Sequence, residues 1–175
     1  LIKAKVDFNA ICDQVLPGMQ ELMSDHAGRH KLSDFVLRYC HTTHILEMGE
    51  TRFRKDYCKW AEKKGYRNCE RMAALIFATA QNGIPVLPNA PSTQIVITEA
   101  IRVLHTVEAS RDAILTQMQA LAKTLPEYSL VREMPCIGDT LAPRLIAEIG
   151  DVRRYHSKRA LIAYAGIAAP QYPSG

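Results

Sequence analysis

Leu130 to Gly175 reads LVREMPCIGDTLAPRLIAEIGDVRRYHSKRALIAYAGIAAPQYPSG, and the reading of this stretch decides the fold. It predicts a helix, a tight hairpin, a helix, a turn, a helix and then an open loop. Met134-Pro135 closes a short apolar helix. Cys136-Ile137-Gly138 forms the hairpin, where Gly138 can take a positive φ or admit a close backbone. Asp139 or Thr140 is expected to cap the next helix, with Pro143 in its first turn. Leu141, Leu145, Ile146 and Ile149 give that helix one apolar face, and Gly150 stops it. Ser157 caps a third helix carrying Leu161, Ile162 and Tyr164, and Gly166 ends it.

Such a hairpin suits phosphate binding. A glycine-containing loop that opens a helix leaves backbone N–H groups unbonded, and the helix dipole favours an anion there. Ile137 and Gly138 are therefore candidate phosphate contacts, and Arg153, Arg154, Lys158 and Arg159 follow closely enough to grip neighbouring phosphates. The same pattern also fits a small helical bundle with a solvated basic turn.

The run from Met134 to Gly138, the Ala147-Glu148-Ile149-Gly150-Asp151 segment, Ala163-Tyr164-Ala165-Gly166 and Ser174-Gly175 resemble the C-terminal domain of the insertion sequence "one-ten" transposases. Asp13 to Gly18 and the long helix ending Leu125-Pro126-Glu127-Tyr128 resemble that family's middle region. Two features depart from the pattern. Cys136 stands where such hairpins usually carry a first glycine, and Ala168 to Pro173 replaces the commoner acidic, proline-containing loop. The resemblance implies an RNA-guided serine recombinase with a RuvC-like N-terminal domain. It implies Ser174 as the nucleophile, a structured guide RNA and DNA as partners, and Mg²⁺ held by an acidic domain upstream of Leu1. None of that domain's acids can be matched to this sequence.

The chain has 175 residues and a net charge of +4, which permits nucleic-acid binding without requiring it. It starts at Leu1 and ends on Pro173-Ser174-Gly175, which predicts a fragment of a longer protein, inactive by itself. No apolar run approaches the ~18 residues of a membrane span, so no membrane partner is expected. Five cysteines at wide spacing argue against a disulfide framework and for a reducing cytoplasm.

Outward from the C-terminal stretch, helical periodicity governs the rest. Residues 1–24 predict a helix broken near Pro17-Gly18, followed by a loop at Asp25 to Gly28 and a short helix marked by Leu32, Phe35, Val36 and Tyr39. The next helix runs from Glu50 to Lys64. Its apolar face carries Phe53, Tyr57, Trp60 and Ala61, while Arg52, Lys55, Lys59 and Lys63 recur at i, i+3, i+7 and i+11 on another. That stripe is either a solvated face or a track for an RNA or DNA backbone. Arg71 to Ala80 forms a further helix, and the prolines at 85, 88 and 91 mark a linker.

Ser92 is expected to cap the longest element, running to about Leu125. At ~1.5 Å per residue it is about 50 Å long. Ile97, Ile101, Leu104, Leu115, Met118, Ala122 and Leu125 form a seam, with Glu108 and Arg111 in its middle. A seam of this length needs a partner, either another helix of the chain or a second copy, and a homo-oligomer through this helix is expected.

Metal chemistry finds little support in the residues. Cys40-His41-Thr42-Thr43-His44 offers three ligands close together, whereas a zinc site needs four. Acidic residues are scattered, so no paired carboxylates suit two-metal catalysis and no metal site is expected here. The resulting expectation is an all-α chain: a helical region at 1–91, a long coiled-coil helix at 92–125, and the start of a helix-hairpin-helix transposase domain at 126–175. Its expected role is the DNA- and RNA-binding, oligomerising part of a transposase. The alternatives are a non-catalytic helix-hairpin-helix DNA-binding module and a helical oligomerisation module.

Overall fold

The computed structural model describes residues 1–23, 30–67 and 69–166. All regular structure there is helical and no strand occurs among the described residues, as the periodicity predicts. The chain divides into two compact units, Leu1–Arg111 and Asp112–Gly175. The division falls inside the long helix rather than at either of its ends.

The first unit contains α1 (Ile2–Val15), α2 (Met19–Met23), α3 (Lys31–Tyr39), α4 (Thr42–Met48), α5 (Glu50–Lys63), α6 (Cys69–Asn82) and the first part of α7 (Pro91–Ala122). The expected break between α1 and α2 is present. Gly18 turns the chain with φ of 77°, and a Cβ there would sit 2.9 Å from Thr79 Cγ2, so both backbone and space demand glycine. The loop expected at Asp25 to Gly28 lies outside the described residues. Gly49, with φ of 72° and ψ of 153°, separates α4 from α5.

The core of this unit is unusually aromatic. Phe35 and Tyr39 lie 4.8 Å apart by ring centroid, Tyr39 and Phe53 5.2 Å, and Tyr57 and Trp60 5.6 Å. Each such pair contributes ~0.5–1.5 kcal/mol beyond simple burial. Phe35, Phe53 and Ile76 are fully buried, and Tyr39 is 1% exposed. Its hydroxyl escapes the cost of an unpaired buried donor by donating to Asp56 Oδ2 at 2.9 Å.

The proline-rich segment between α6 and α7 has no regular helix, as expected, yet it is fastened. Val86 and Leu87 N–H both donate to Gln14 O, at 2.8 and 3.1 Å. His41 is buried and holds the same segment. Its Nδ1 accepts from Thr43 N at 3.1 Å, so Nε2 carries the proton and donates to Leu87 O at 2.9 Å. The histidine read as a weak ligand candidate is therefore a structural clamp. Cys40 is half-buried and has φ of 54°.

The long helix begins at Pro91 rather than being capped by Ser92, which places the proline where its missing N–H costs least. It spans 32 residues and ends at Ala122. Ile97, Ile101 and Leu104, read as one end of a seam seeking a long partner, are buried in the core of this chain's own first unit. Glu108 is also buried. It lies 3.9 Å from Lys5 Nζ and 3.5 Å from His30 Nδ1, and its Oε2 accepts no hydrogen bond among the described residues.

The second unit contains the end of α7, α8 (Glu127–Arg132), α9 (Leu141–Ile149), a 3-10 turn at Val152–Arg154 and α10 (Lys158–Tyr164). Gly150 ends α9 with φ of 63°, and Ser157 caps α10 by accepting from Ala160 N at 3.2 Å, both as expected. Neither Asp139 nor Thr140 caps α9 by a side-chain hydrogen bond: Thr140 occupies the cap position without one, and Asp139 is engaged elsewhere. Ala142 and Pro143 carry the burial on α9, while Leu141 of the expected apolar face is 48% exposed.

Candidate nucleic-acid interface

Two basic surfaces are candidates, one in each unit. The first is on α5. Glu50 in its first turn and Lys63 in its last complement the helix dipole, and Phe53, Tyr57, Cys58 and Ala61 pin one face to the core. That packing turns the opposite face outward. Arg52, Lys55, Lys59 and Lys63 are all exposed along it. From Arg52 to Lys63 the stripe is about 16 Å long at ~1.5 Å per residue.

The basic residues of this region are not equivalent. Arg54 lies 3.5 Å from Glu50 and 3.3 Å from Glu70. Lys64 donates to Asp34 Oδ2 at 2.8 Å, and this hydrogen bond raises the pKa of its ammonium above the ordinary value. Arg38 grips Asp56 through Nε and Nη2, with contacts of 2.7 to 3.2 Å. Burial pushes the Asp56 carboxyl up, but the hydrogen bonds from Arg38 and Tyr39 outweigh it and hold it below its ordinary value. Arg52 adds a weaker electrostatic pull on Asp56. Lys55, Lys59 and Lys63 have no ion pair or side-chain hydrogen bond among the described residues, so their charge is available to a ligand.

The second surface is the turn between α8 and α9. Arg132 organises it: Nη1 donates to Ile137 O and Nε lies 2.8 Å from Asp139 Oδ1. Tyr128 OH donates to the same Asp139 oxygen at 3.1 Å. Gly138 has no positive φ, and nothing lies within 4 Å of where its Cβ would be, so neither expected reason for a glycine applies there. The left-handed residue is Cys136, with φ of 66°. Ile137 N–H is taken by Met134 O at 3.2 Å, whereas Gly138 O accepts from Leu141 and Ala142 and its N–H has no partner among the described residues.

Beyond α9, Arg153, Arg154, Lys158 and Arg159 are all exposed. Arg154 differs from the other three. Its guanidinium carbon lies 4.8 Å from the Tyr155 ring centroid and 4.9 Å from that of Tyr164. Tyr164 OH in turn donates to Glu148 O at 3.1 Å, tying α10 to α9. Ser174 lies outside the described residues. Arg132 and Tyr155 went unread in the sequence, and Tyr128 and Tyr164 were read only as helix residues; the one available signal was the closeness of two tyrosines, 155 and 164, to the basic residues at 153–159.

Among the described residues no group of three or more His, Cys, Asp and Glu can hold a metal ion. No helix among them is long and apolar enough to cross a membrane.

Residues 128–175 match the Transposase IS116/IS110/IS902 family. The chain is also 23% identical, over 162 residues, to the "Insertion element IS110 uncharacterized 43.6 kDa protein" of Streptomyces coelicolor. That alignment covers 93% of this chain and 39% of the other protein, so the chain spans about two-fifths of the length of this curated relative. No solved structure matches. The two matches liken the chain to proteins of IS110-type insertion elements, the first through residues 128–175 alone and the second through a distant likeness along most of the chain.

Proposed function

We propose that this chain is the nucleic-acid-binding and oligomerising part of a transposase that recombines insertion-sequence DNA. The observation that carries the reading is the exposed, unpaired Lys55, Lys59 and Lys63 stripe in a chain whose C-terminal segment matches a transposase family. Its ligands are DNA and a structured guide RNA, held through the phosphate backbone by this stripe and by Gly138, Arg153, Lys158 and Arg159 of the helix-hairpin-helix region. Salt-dependent binding to duplex DNA and to folded RNA supports the reading. Absence of binding to both at low salt overturns it and leaves a helical oligomerisation module.

Self-association has its own support. On α7 and just beyond it, Ile114, Leu121 and Leu125 remain 57%, 67% and 43% exposed, at spacings of seven and four. Uncovered apolar residues at heptad spacing favour pairing with a second copy through this stretch.

Ser174 is the nucleophile in this proposal. Its Oγ attacks a backbone phosphorus of DNA, forming a phosphoserine ester and releasing a sugar hydroxyl, and rejoining reverses the exchange with a new hydroxyl. The whole enzyme also uses Mg²⁺, held by acidic residues outside this chain. The described residues offer it no cluster of three or more ligands. In the full-length protein with its RNA and DNA, Ser174→Ala keeps binding and loses both the covalent adduct and strand exchange. Recombination retained by that variant moves the chemistry elsewhere and favours a non-catalytic DNA-binding role for the helix-hairpin-helix.

A further inference from the structure

Tyr155, within the basic run, and Tyr164, five residues beyond Arg159, are brought together. Their ring centroids are 5.4 Å apart with planes 55° from parallel, and Arg154 lies against both rings. Arg154 Nη2 also donates to Tyr155 OH at 2.5 Å, and Tyr164 OH is anchored on Glu148 O. Five interactions therefore fix the orientation of this group on the surface. Tyr164 is nevertheless 49% exposed, although the guanidinium covers part of it. A pre-set, half-open ring in a field of exposed cations has the two components of a site for an unpaired nucleotide. An aromatic plane takes the base, and neighbouring arginines and lysines take the phosphates.

We infer that the Tyr155–Arg154–Tyr164 cluster is a stacking site for an unstacked nucleobase, with Arg153, Lys158 and Arg159 beside it for the flanking phosphates. This rests on the nucleic-acid reading proposed above and narrows it. The turn at 152–164 takes a base that has left its helix, whereas the α5 lysines track the backbone. Stacking is tolerant of sequence because every base offers a π-face, so the site distinguishes unpaired from paired nucleotides rather than one base from another. The bound Arg154 serves as more than a charge. Lying beside both rings, 4.8 and 4.9 Å from their centroids, it helps to keep Tyr164 from rotating away.

The test uses two probes that differ by one phosphate, a blunt DNA duplex and the same duplex carrying one extrahelical fluorescent aminopurine. An RNA hairpin carrying the same base in its loop is the third arm. The wild-type chain should prefer the probes with an unpaired base and quench the analogue. Tyr164→Ala and Tyr164→Leu should lose that preference by roughly tenfold, the size expected for one base–aromatic contact. Tyr164→Phe keeps the ring and should keep the preference, which separates stacking from the hydrogen bond to Glu148. Quenching by the DNA probe alone, or by the RNA probe alone, assigns the source of the base. Equal weakening of the blunt duplex by Tyr164→Leu, or binding without quenching, overturns the inference while leaving the nucleic-acid reading standing. No binding to any probe overturns both.

Discussion

Replacing Lys55, Lys59 and Lys63 together with glutamine tests whether the α5 stripe touches phosphates. All three side chains are exposed and unpaired among the described residues, so each can displace one counterion equivalent from DNA. A phosphate contact contributes about 0.9 to the slope of log K against log salt on duplex DNA. Losing three contacts should make that slope shallower by about 2.7. Between roughly 50 and 200 mM salt the wild-type chain should then lose about 40-fold more affinity than the variant. Fluorescence anisotropy with a labelled duplex over a salt series measures both slopes. The structure also supplies the control. Arg54 and Lys64 lie on the same helix and the turn after it, but their charge is already engaged by Glu50, Glu70 and Asp34. Arg54→Gln with Lys64→Gln should change the slope far less per charge removed. An unchanged slope in the lysine variant refutes the contact. An equal change per charge in the control refutes the argument that pairing decides which cations are available.

Cys136→Gly should stabilise the second unit by about 1 kcal/mol or less. It removes the cost of a left-handed non-glycine residue at φ of 66°, partly offset by glycine's greater chain entropy, and a urea melt monitored there reads the sign. Asp56 predicts an acid limb. Its folded pKa is held below the ordinary value, so its contribution is complete above the unfolded value of about 4 and is lost as pH falls through the lower folded value. Asp56→Asn should flatten that limb in thermal melts followed from about pH 5 downward. Ile114→Glu with Leu121→Glu should convert an associated chain to a smaller species in sedimentation. A wild-type chain that already sediments as a monomer would remove α7 as an oligomer interface.

Local signals in the sequence carried most of the helices. Pro17-Gly18 separates α1 from α2 because Gly18 takes a conformation and a space that other residues lack. The inner face of α5 was legible because Phe53, Tyr57 and Ala61 recur at helical spacing, and that same spacing turned the lysines outward. Which of those cations would be free was not legible. Glu50 reaches Arg54 from within α5, but the other acids on Arg54 and Lys64 come from α6 and α3, 16 and 30 residues away. The turn after α8 shows the same limit. Its glycine was the visible feature, yet the geometry is set by Arg132 reaching five residues on to Ile137 O and by Cys136 taking the left-handed conformation. The seam of α7 looked continuous as a pattern. In the structure Ile97, Ile101 and Leu104 bury in the first unit, Leu115 and Met118 are half-buried, Ala122 is buried and Leu125 is exposed, while the large uncovered residues are Ile114 and Leu121, outside that seam.

The fastening of the proline-rich segment bears on how the protein can be dissected. By composition, residues 83–90 invite cleavage, and Ile84 and Val86 are 86% and 78% exposed. A protease needs several consecutive residues drawn out into its cleft. Here the Val86 and Leu87 amides are bonded to Gln14, and Leu87 O is bonded to His41. Cutting therefore requires the segment to peel off α1 first, so nicking should be slow and its rate should follow local opening rather than side-chain exposure. Amide exchange at Leu87 should be retarded relative to Ile84 for the same reason. Truncation after residue 90 would also strip Ile97, Ile101 and Leu104 from the core they complete, so expression boundaries for an N-terminal piece belong beyond Arg111.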